Sequence, residues 1–230
     1  MRTKKKKSPH LPGYNSSIFT EIYTKNLWGG AKGEFYSGSG SYNAHIEGYI
    51  ECIANFIIQN NVNQIVEIGC GDFNVSSKML NVLDANAKDY SYIGYDVVKP
   101  LIAHNKKLFA TDRTDFRLKD AVNGKIQGGD LLIIRQVLQH LDNKSIAKIT
   151  EKFSNYKYVI VTEHQISEVY GDKVIPNLDK GTDAYNRVVL FSGVYLDKPP
   201  FNCRVEKNIY SFYEAQVGLD ANVNTLLISI

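Results

Sequence analysis

The stretch IVEIGCGD, residues 65–72, decides how the chain folds. Its first half is an apolar run of the kind that forms a strand buried on both faces of a parallel sheet. Its second half is a turn in which Gly69 and Gly71 flank Cys70, with Glu67 just before and Asp72 just after. Glycine at a strand end lets the backbone come close to a ligand, because no Cβ intervenes. Dinucleotide binders carry Gly-x-Gly-x-x-Gly here, with a pyrophosphate at the start of the next helix. This chain has Asn74 in the third glycine's place. Two carboxylates beside the turn would repel a diphosphate and attract a ligand that carries positive charge.

Outward from this turn, strands and helices alternate. Residues 64–68, 90–95, 116–118, 131–134 and 158–162 read as strands; 75–83, 100–109 and 143–153 read as helices, the second opened by Pro100. Upstream, Ile46, Ile50, Ile53 and Ile57 recur at helical spacing. The alternation predicts an α/β fold: a Rossmann-like, doubly wound sheet, mostly parallel and covered on both faces. The ending differs. Residues 204–213 and 225–230 read as strands with no helix between them, which predicts an antiparallel C-terminal strand pair at one side of the sheet. Residues 1–42 are polar and rich in Gly and Ser. They are expected to be a tail and a lid over the site, ahead of a single domain over 43–230. Within that domain, the long segment 165–202 is an acceptor-side insertion.

Acids recur at the strand ends. Asp96 closes the second strand, where a carboxylate accepts hydrogen bonds from both hydroxyls of a ribose. Asp120 follows the third strand, placed to take an adenine amino group. An adenosine whose far end is cationic satisfies all of these groups. The charge pattern therefore favours S-adenosyl-L-methionine over NAD.

In these segments the chain resembles the class I S-adenosylmethionine-dependent methyltransferases. The matching stretches are VEIGCGD (66–72), YIGYD (92–96), FRLKD (116–120) and GDLLIIRQVLQHL (129–141). The resemblance covers roughly residues 45 to 230 and implies a seven-stranded sheet. It implies that Glu67, Gly69 and Gly71 line the methionine and ribose side of the cofactor, with Cys70 and Asp72 beside them. Asp96 would hold the ribose and Asp120 the adenine, with Val97 and Ala121 also among the cofactor-binding residues. Arg135 or Gln136 would face the methionine end or the acceptor. The product would be S-adenosyl-L-homocysteine.

Composition narrows the class. The chain has 230 residues, 43% hydrophobic and 22% charged, with a net charge of +3 concentrated in the opening Met-Arg-Thr-Lys-Lys-Lys-Lys. No stretch reaches the roughly 18 apolar residues of a membrane span, and no apolar segment follows the basic start as in a signal peptide. Three widely spaced cysteines, Cys52, Cys70 and Cys203, form neither a metal pattern nor a disulfide framework. A cytoplasmic location is expected. Outside residues 2–7 there is no broad basic face, which argues against nucleic acid as partner. The amino-methyltransferase signature Asn/Asp-Pro-Pro-aromatic is replaced by Arg135-Gln136-Val137-Leu138, and no metal site is evident.

Methyl transfer to a hydroxyl calls for alignment and a base. His140 is one candidate, since small bacterial methyltransferases of glycan and secondary-metabolite pathways carry a similar Val-Leu-x-His-Leu segment. His164, with Glu163 beside it, is the other. That bacterial group also has an Arg-x-x-Asn segment before a Pro-Pro-Phe turn. This chain keeps Arg187 and Pro199-Pro200-Phe201 but not the asparagine. Arg187 is expected to anchor an anionic acceptor, and Tyr36, Tyr42 and Trp28 to wall the site. The expected acceptor is a small molecule: a sugar, a nucleotide-linked sugar or a surface-polysaccharide precursor. Two rival functions are methylation of nucleic acid or protein through the basic tail, and a non-catalytic partner subunit that only binds the cofactor. The sequence does not fix the oligomeric state.

Overall fold

The computed structural model describes residues 13–230, so the basic segment 2–7 and any role of it as a phosphate grip lie outside the described residues. Seven strands form one sheet. They are β1 (Gln64–Ile68), β2 (Ser91–Asp96), β3 (Thr114–Leu118), β4 (Gly129–Arg135), β5 (Tyr156–Ile166), β6 (Val205–Tyr213) and β7 (Ala221–Ile228). Their order is β3-β2-β1-β4-β5-β7-β6. The first five pair in parallel, and β7 pairs antiparallel with both β5 and β6. Helices α1 (Tyr14–Thr24), α2 (Ile46–Gln59), α3 (Asn74–Ala85), α4 (Lys99–Phe109) and α5 (Asn143–Thr150) complete the fold.

The strands alternate their side chains between two cores, as the pleat requires. Ile65, Leu131, Ile133 and Ile160 pack under α2 and α3, with Ile53, Ile57, Met79 and Leu83. Val66, Leu132, Ile134 and Val161 pack under α5, with Ile146 and Ile149. Each such buried aliphatic side chain contributes about 1.5–3 kcal/mol, which explains why Ile65, Val66 and Ile68 of β1 and Leu131 to Ile134 of β4 are apolar on both faces of the sheet. The chain moves outward from β1 to β3 and then returns to the other side of β1 as β4. That reversal opens a crevice at the carboxyl ends of β1 and β4, the place where doubly wound sheets bind ligands.

Several elements differ from the sequence reading: α5 ends at Thr150 rather than at 153, β7 spans Ala221–Ile228 rather than 225–230, and two further differences bear on the site. Helix α1 stands where an irregular lead-in was expected. Of its residues only Asn15, Ile22 and Tyr23 are buried, so it carries no long apolar stripe to read. It is fastened instead by a hydrogen bond from Ser16 Oγ to the Val97 carbonyl at 2.8 Å. Strand β5 runs four residues beyond 162, because β7 pairs with it as far as Ile166. Glu163 and His164 therefore lie within a strand and point to opposite faces. Among the described residues no helix is long and apolar enough to cross a membrane.

Candidate active site

A cavity of about 300 Å³ opens at the carboxyl ends of the strands, over the crevice between β1 and β4. Its floor is the glycine turn. Gly69 has φ +75° and Gly71 φ +53°, which side-chain-bearing residues rarely adopt. A Cβ on Gly69 would lie 2.3 Å from Val137 Cγ2, and one on Gly71 would lie 2.5 Å from Ser37 Oγ. The turn thus brings β1 against the loop after β4 on one side and the N-terminal segment on the other. Phe73 also has a positive φ, and its ring is held among Tyr92, Phe109 and Phe116.

The half of the cavity over β1 to β3 is acidic. Asp96 Oδ2 accepts from the Gly71 N–H at 3.2 Å and Oδ1 from the Val98 N–H at 3.0 Å. Burial pushes its carboxyl up to about 6, against the pull of these backbone donors. Each oxygen keeps lone-pair capacity for a further donor. Asp120 accepts from Val122 N–H and Asn123 Nδ2 at 2.9 Å each and also borders the cavity, as do Val97, Ala121 and Cys70. Glu67 is buried and accepts from Ser76 Oγ at 2.6 Å and from the Tyr92 hydroxyl. Burial raises its pKa. Its carboxylate therefore fastens α3 to the sheet as well as lining the site.

At the end of β4 the cavity holds donors without partners. Arg135 is buried and stacks over the Tyr49 ring at 5.0 Å. Its Nη2 donates to the Gly40 carbonyl at 2.6 Å, while its Nε has no partner. Gln136 Nε2 is likewise buried and unpaired. Two orphaned donors facing a ligand space fit a carboxylate.

The N-terminal segment roofs the cavity. Ser37 and Asp72 clasp each other: Ser37 N–H donates to Asp72 Oδ2 at 2.8 Å, and Asp72 N–H donates to Ser37 Oγ at 2.9 Å. Tyr42 OH donates to the same Asp72 oxygen at 3.0 Å. Trp28 Nε1 donates to the Ala184 carbonyl at 2.8 Å, joining this segment to the region after β5.

The half over β4 and β5 carries a chain of four polar side chains. Glu214 Oε2 lies 2.8 Å from His164 Nε2. His164 Nδ1 lies 2.8 Å from Gln139 Oε1, and Gln139 Nε2 lies 3.3 Å from His140 Nε2. The last atom of the chain, His140 Nδ1, is buried without a partner. Burial, reinforced by Lys180, lowers the His140 pKa to about 3, while Asp183 and the Tyr185 backbone act the other way. Burial would raise the Glu214 carboxyl, but the hydrogen bond and charge of His164 hold it below the ordinary carboxylate range.

Solved structures of other proteins carry this architecture. The 1,6-didemethyltoxoflavin-N1-methyltransferase of Burkholderia thailandensis, with bound 1,6-didemethyltoxoflavin and S-adenosylhomocysteine, matches 99% of this chain and 93% of its own. Its TM-score is 0.60 at 11% identity. The magnesium protoporphyrin IX methyltransferase of Synechocystis PCC 6803, with bound SAH, matches 94% of this chain and 100% of its own. Its TM-score is 0.55 at 10% identity. The fold is that of the class I methyltransferases. At these identities the likeness is one of fold. No protein-family model matches the chain, and no curated protein sequence does.

Within this methyltransferase fold, the residues singled out from the sequence divide into two groups. Glu67, Gly69, Cys70, Gly71, Asp72, Asp96, Val97, Asp120, Ala121, Arg135, Gln136, His140 and His164 all border the one cavity. Four others do not. Glu163 points away from His164, and its oxygens accept the backbone N–H groups of Val137, Leu138 and Gln139 at 2.9, 2.7 and 3.2 Å. Glu214 takes the place beside His164 that Glu163 was expected to fill. Arg187 is fully buried and donates to the Leu178 and Leu141 carbonyls at 2.7 and 2.6 Å, so it ties the 165–202 segment down and does not border the cavity. Tyr36 stacks on Tyr42 outside the cavity. The aromatic walls are Phe19, Tyr23 and Trp28. Asp72 borders the site, but its carboxylate is taken up by the N-terminal segment. Gln139 and Glu214 were missed. No local signal marks them, since their roles arise only from strand pairing.

Proposed function

We propose that this protein is a cytoplasmic methyltransferase that moves the methyl group of S-adenosyl-L-methionine to a small molecule and releases S-adenosyl-L-homocysteine. One observation carries the reading. A carboxylate with spare acceptor capacity, Asp96, and two orphaned donors, Arg135 Nε and Gln136 Nε2, face one cavity from opposite sides of the crevice. They match the ribose hydroxyls and the methionine carboxylate of that cofactor. When bound, the cofactor supplies an activated methyl group for in-line displacement.

The chain's own residues bind, orient and handle the proton. Asp96 holds the ribose, Asp120 the adenine amino group, and the glycine turn lets the backbone approach. The roof made by residues 37–41 keeps water out, which strengthens each of these contacts. On the acceptor side the Gln139 amide sets the tautomers of both histidines. With Oε1 toward His164, Gln139 Nε2 donates to His140 and leaves an N–H on His140 Nδ1. Rotating the amide reverses this and puts a lone pair on His140 Nδ1, with His164 then donating to Glu214. The rotated form provides the base that a hydroxyl acceptor needs. The roofed cavity favours a small acceptor over a nucleic acid or protein, and the sugar, nucleotide-linked sugar and polysaccharide-precursor hydroxyls expected from the sequence belong in the first substrate panel.

Calorimetric titration with S-adenosylhomocysteine, and separately with NAD, tests the reading. The first alone is expected to bind. Asp96→Ala should weaken it by one to several orders of magnitude, since hydrogen bonds to a charged group contribute about 1.5–3 kcal/mol each. Binding of NAD alone would overturn the proposal.

A further inference from the structure

We propose that the acceptor is a small apolar molecule with an aromatic ring and a single protic heteroatom, as in a phenol or hydroxylated heteroaromatic, seated between Trp28 and a rim of Tyr185, Val189 and Val217. The inference rests on the methyltransferase reading and narrows its acceptor away from sugars.

The first observation is the state of the polar groups. A sugar presents several hydroxyls and needs several free partners. On the acceptor half the polar side chains are already paired with one another. His164 is taken by Glu214 and Gln139, and Asn186 Nδ2 donates to Gln216 Oε1 at 3.2 Å. Among the described residues of that half, His140 Nδ1 is buried and free, and Asn15 Oδ1 on α1 borders the same cavity without a partner. Two free polar atoms suit one protic group, not the several hydroxyls of a sugar.

The second is the wall. The Trp28 ring lies 5.1 Å from the His140 ring, and Phe19 lies 6.4 Å from it, so the free nitrogen sits among aromatic faces. At the mouth of the same cavity Tyr185, Val189 and Val217 are 69%, 37% and 83% exposed. Apolar side chains left open around a cavity gain their burial from whatever enters it.

The third is Val217 itself. It stands at φ +52° in the turn between β6 and β7, beside Gly218 at φ +77°. Hairpin turns of this form favour Asn, Asp or Gly, and a β-branched residue there is strained. Such strain collects at functional sites. An apolar contact to a bound molecule gives a reason for valine in this place.

The test is calorimetric titration of the full chain with 2-naphthol, glucose and UDP-glucose, each with and without saturating S-adenosylhomocysteine. 2-Naphthol is expected to bind at least about tenfold more tightly than either sugar probe. Val217→Asp and Val189→Asp should each weaken 2-naphthol by about tenfold or more and leave S-adenosylhomocysteine affinity unchanged. Aspartate tolerates the Val217 backbone, so that variant keeps its fold. Equal or tighter binding of a sugar probe, no binding of 2-naphthol, or indifference to both variants overturns the proposal. Failure of S-adenosylhomocysteine to bind would sink the methyltransferase reading instead, and the naphthol-against-sugar comparison without it still decides the character of the pocket.

Discussion

Asp96 links the cofactor proposal to pH. Its folded-state carboxyl is raised to about 6 by burial, from an ordinary 3.8. A raised acid binds its proton more tightly when folded. Its contribution to stability is therefore full below about pH 4 and lost as pH rises through 6, on the order of 3 kcal/mol. Ligand affinity runs the other way, since only the ionised carboxylate accepts from both ribose hydroxyls. S-adenosylhomocysteine should bind progressively more weakly as pH falls from 7 to 5, and Asp96→Asn should bind weakly with little pH dependence. A flat wild-type profile would remove Asp96 from the site. Glu214 belongs to the same scale. Glu214→Gln replaces an ionised partner of His164 by a neutral one, so histidine ¹⁵N shifts should report a change of tautomer at His164, with S-adenosylhomocysteine affinity unchanged. Unaltered shifts would mean that the carboxylate does not govern that ring. His164 was legible in the sequence, but its partner was not. Fifty residues separate the two, and only the β5–β7–β6 pairing brings them together.

At the scale of elements, the turn after β4 is held by one side chain from β5. Glu163 accepts three consecutive backbone N–H groups there, and these are the groups that precede His140. Burial still raises its carboxyl to about 7. The associated stability is full below about pH 4.5 and lost as pH rises through 7. Glu163→Gln sets an NH₂ donor where an acceptor stood and leaves one N–H unpaired, at a cost of about 1–3 kcal/mol. Melting curves should show a lower Tm for the variant, with the deficit largest near pH 5 and smaller above pH 7. A deficit independent of pH would place the raised pKa elsewhere. The sequence placed Glu163 next to His164 and so in the same chemistry. Strand alternation sends the two to opposite faces, and this became visible only once β5 was seen to continue past 162. By contrast β1, β2 and β4 were legible, because strands buried on both faces leave mainly apolar runs.

At the scale of the whole molecule, the N-terminal segment spans the crevice. Ser16 fastens it beside β2, Asp72 beside β1, Arg135 to the end of β4, and Trp28 to the region after β5. The parallel sheet supplies strand ends on both sides of the crevice but nothing to cover it, so closure falls to this segment. Its composition hid that role. The contacts that order it are side-chain-to-backbone hydrogen bonds at single positions, which leave no periodic pattern in the sequence. The Ser37–Asp72 clasp is the contact nearest the glycine turn, and it also receives the Tyr42 hydroxyl. Asp72→Ala should therefore release residues 37–42 without touching the sheet. Their amides should exchange about 10- to 100-fold faster, the effect of losing hydrogen bonds of about 1 kcal/mol each. Exchange across β1, β4 and β5 should stay as it was, and S-adenosylhomocysteine should dissociate faster from the opened site. If residues 37–42 remain as protected as before, Asp72 is not what holds the roof. Faster exchange with an unchanged dissociation rate would show instead that the roof is no barrier to the ligand's departure.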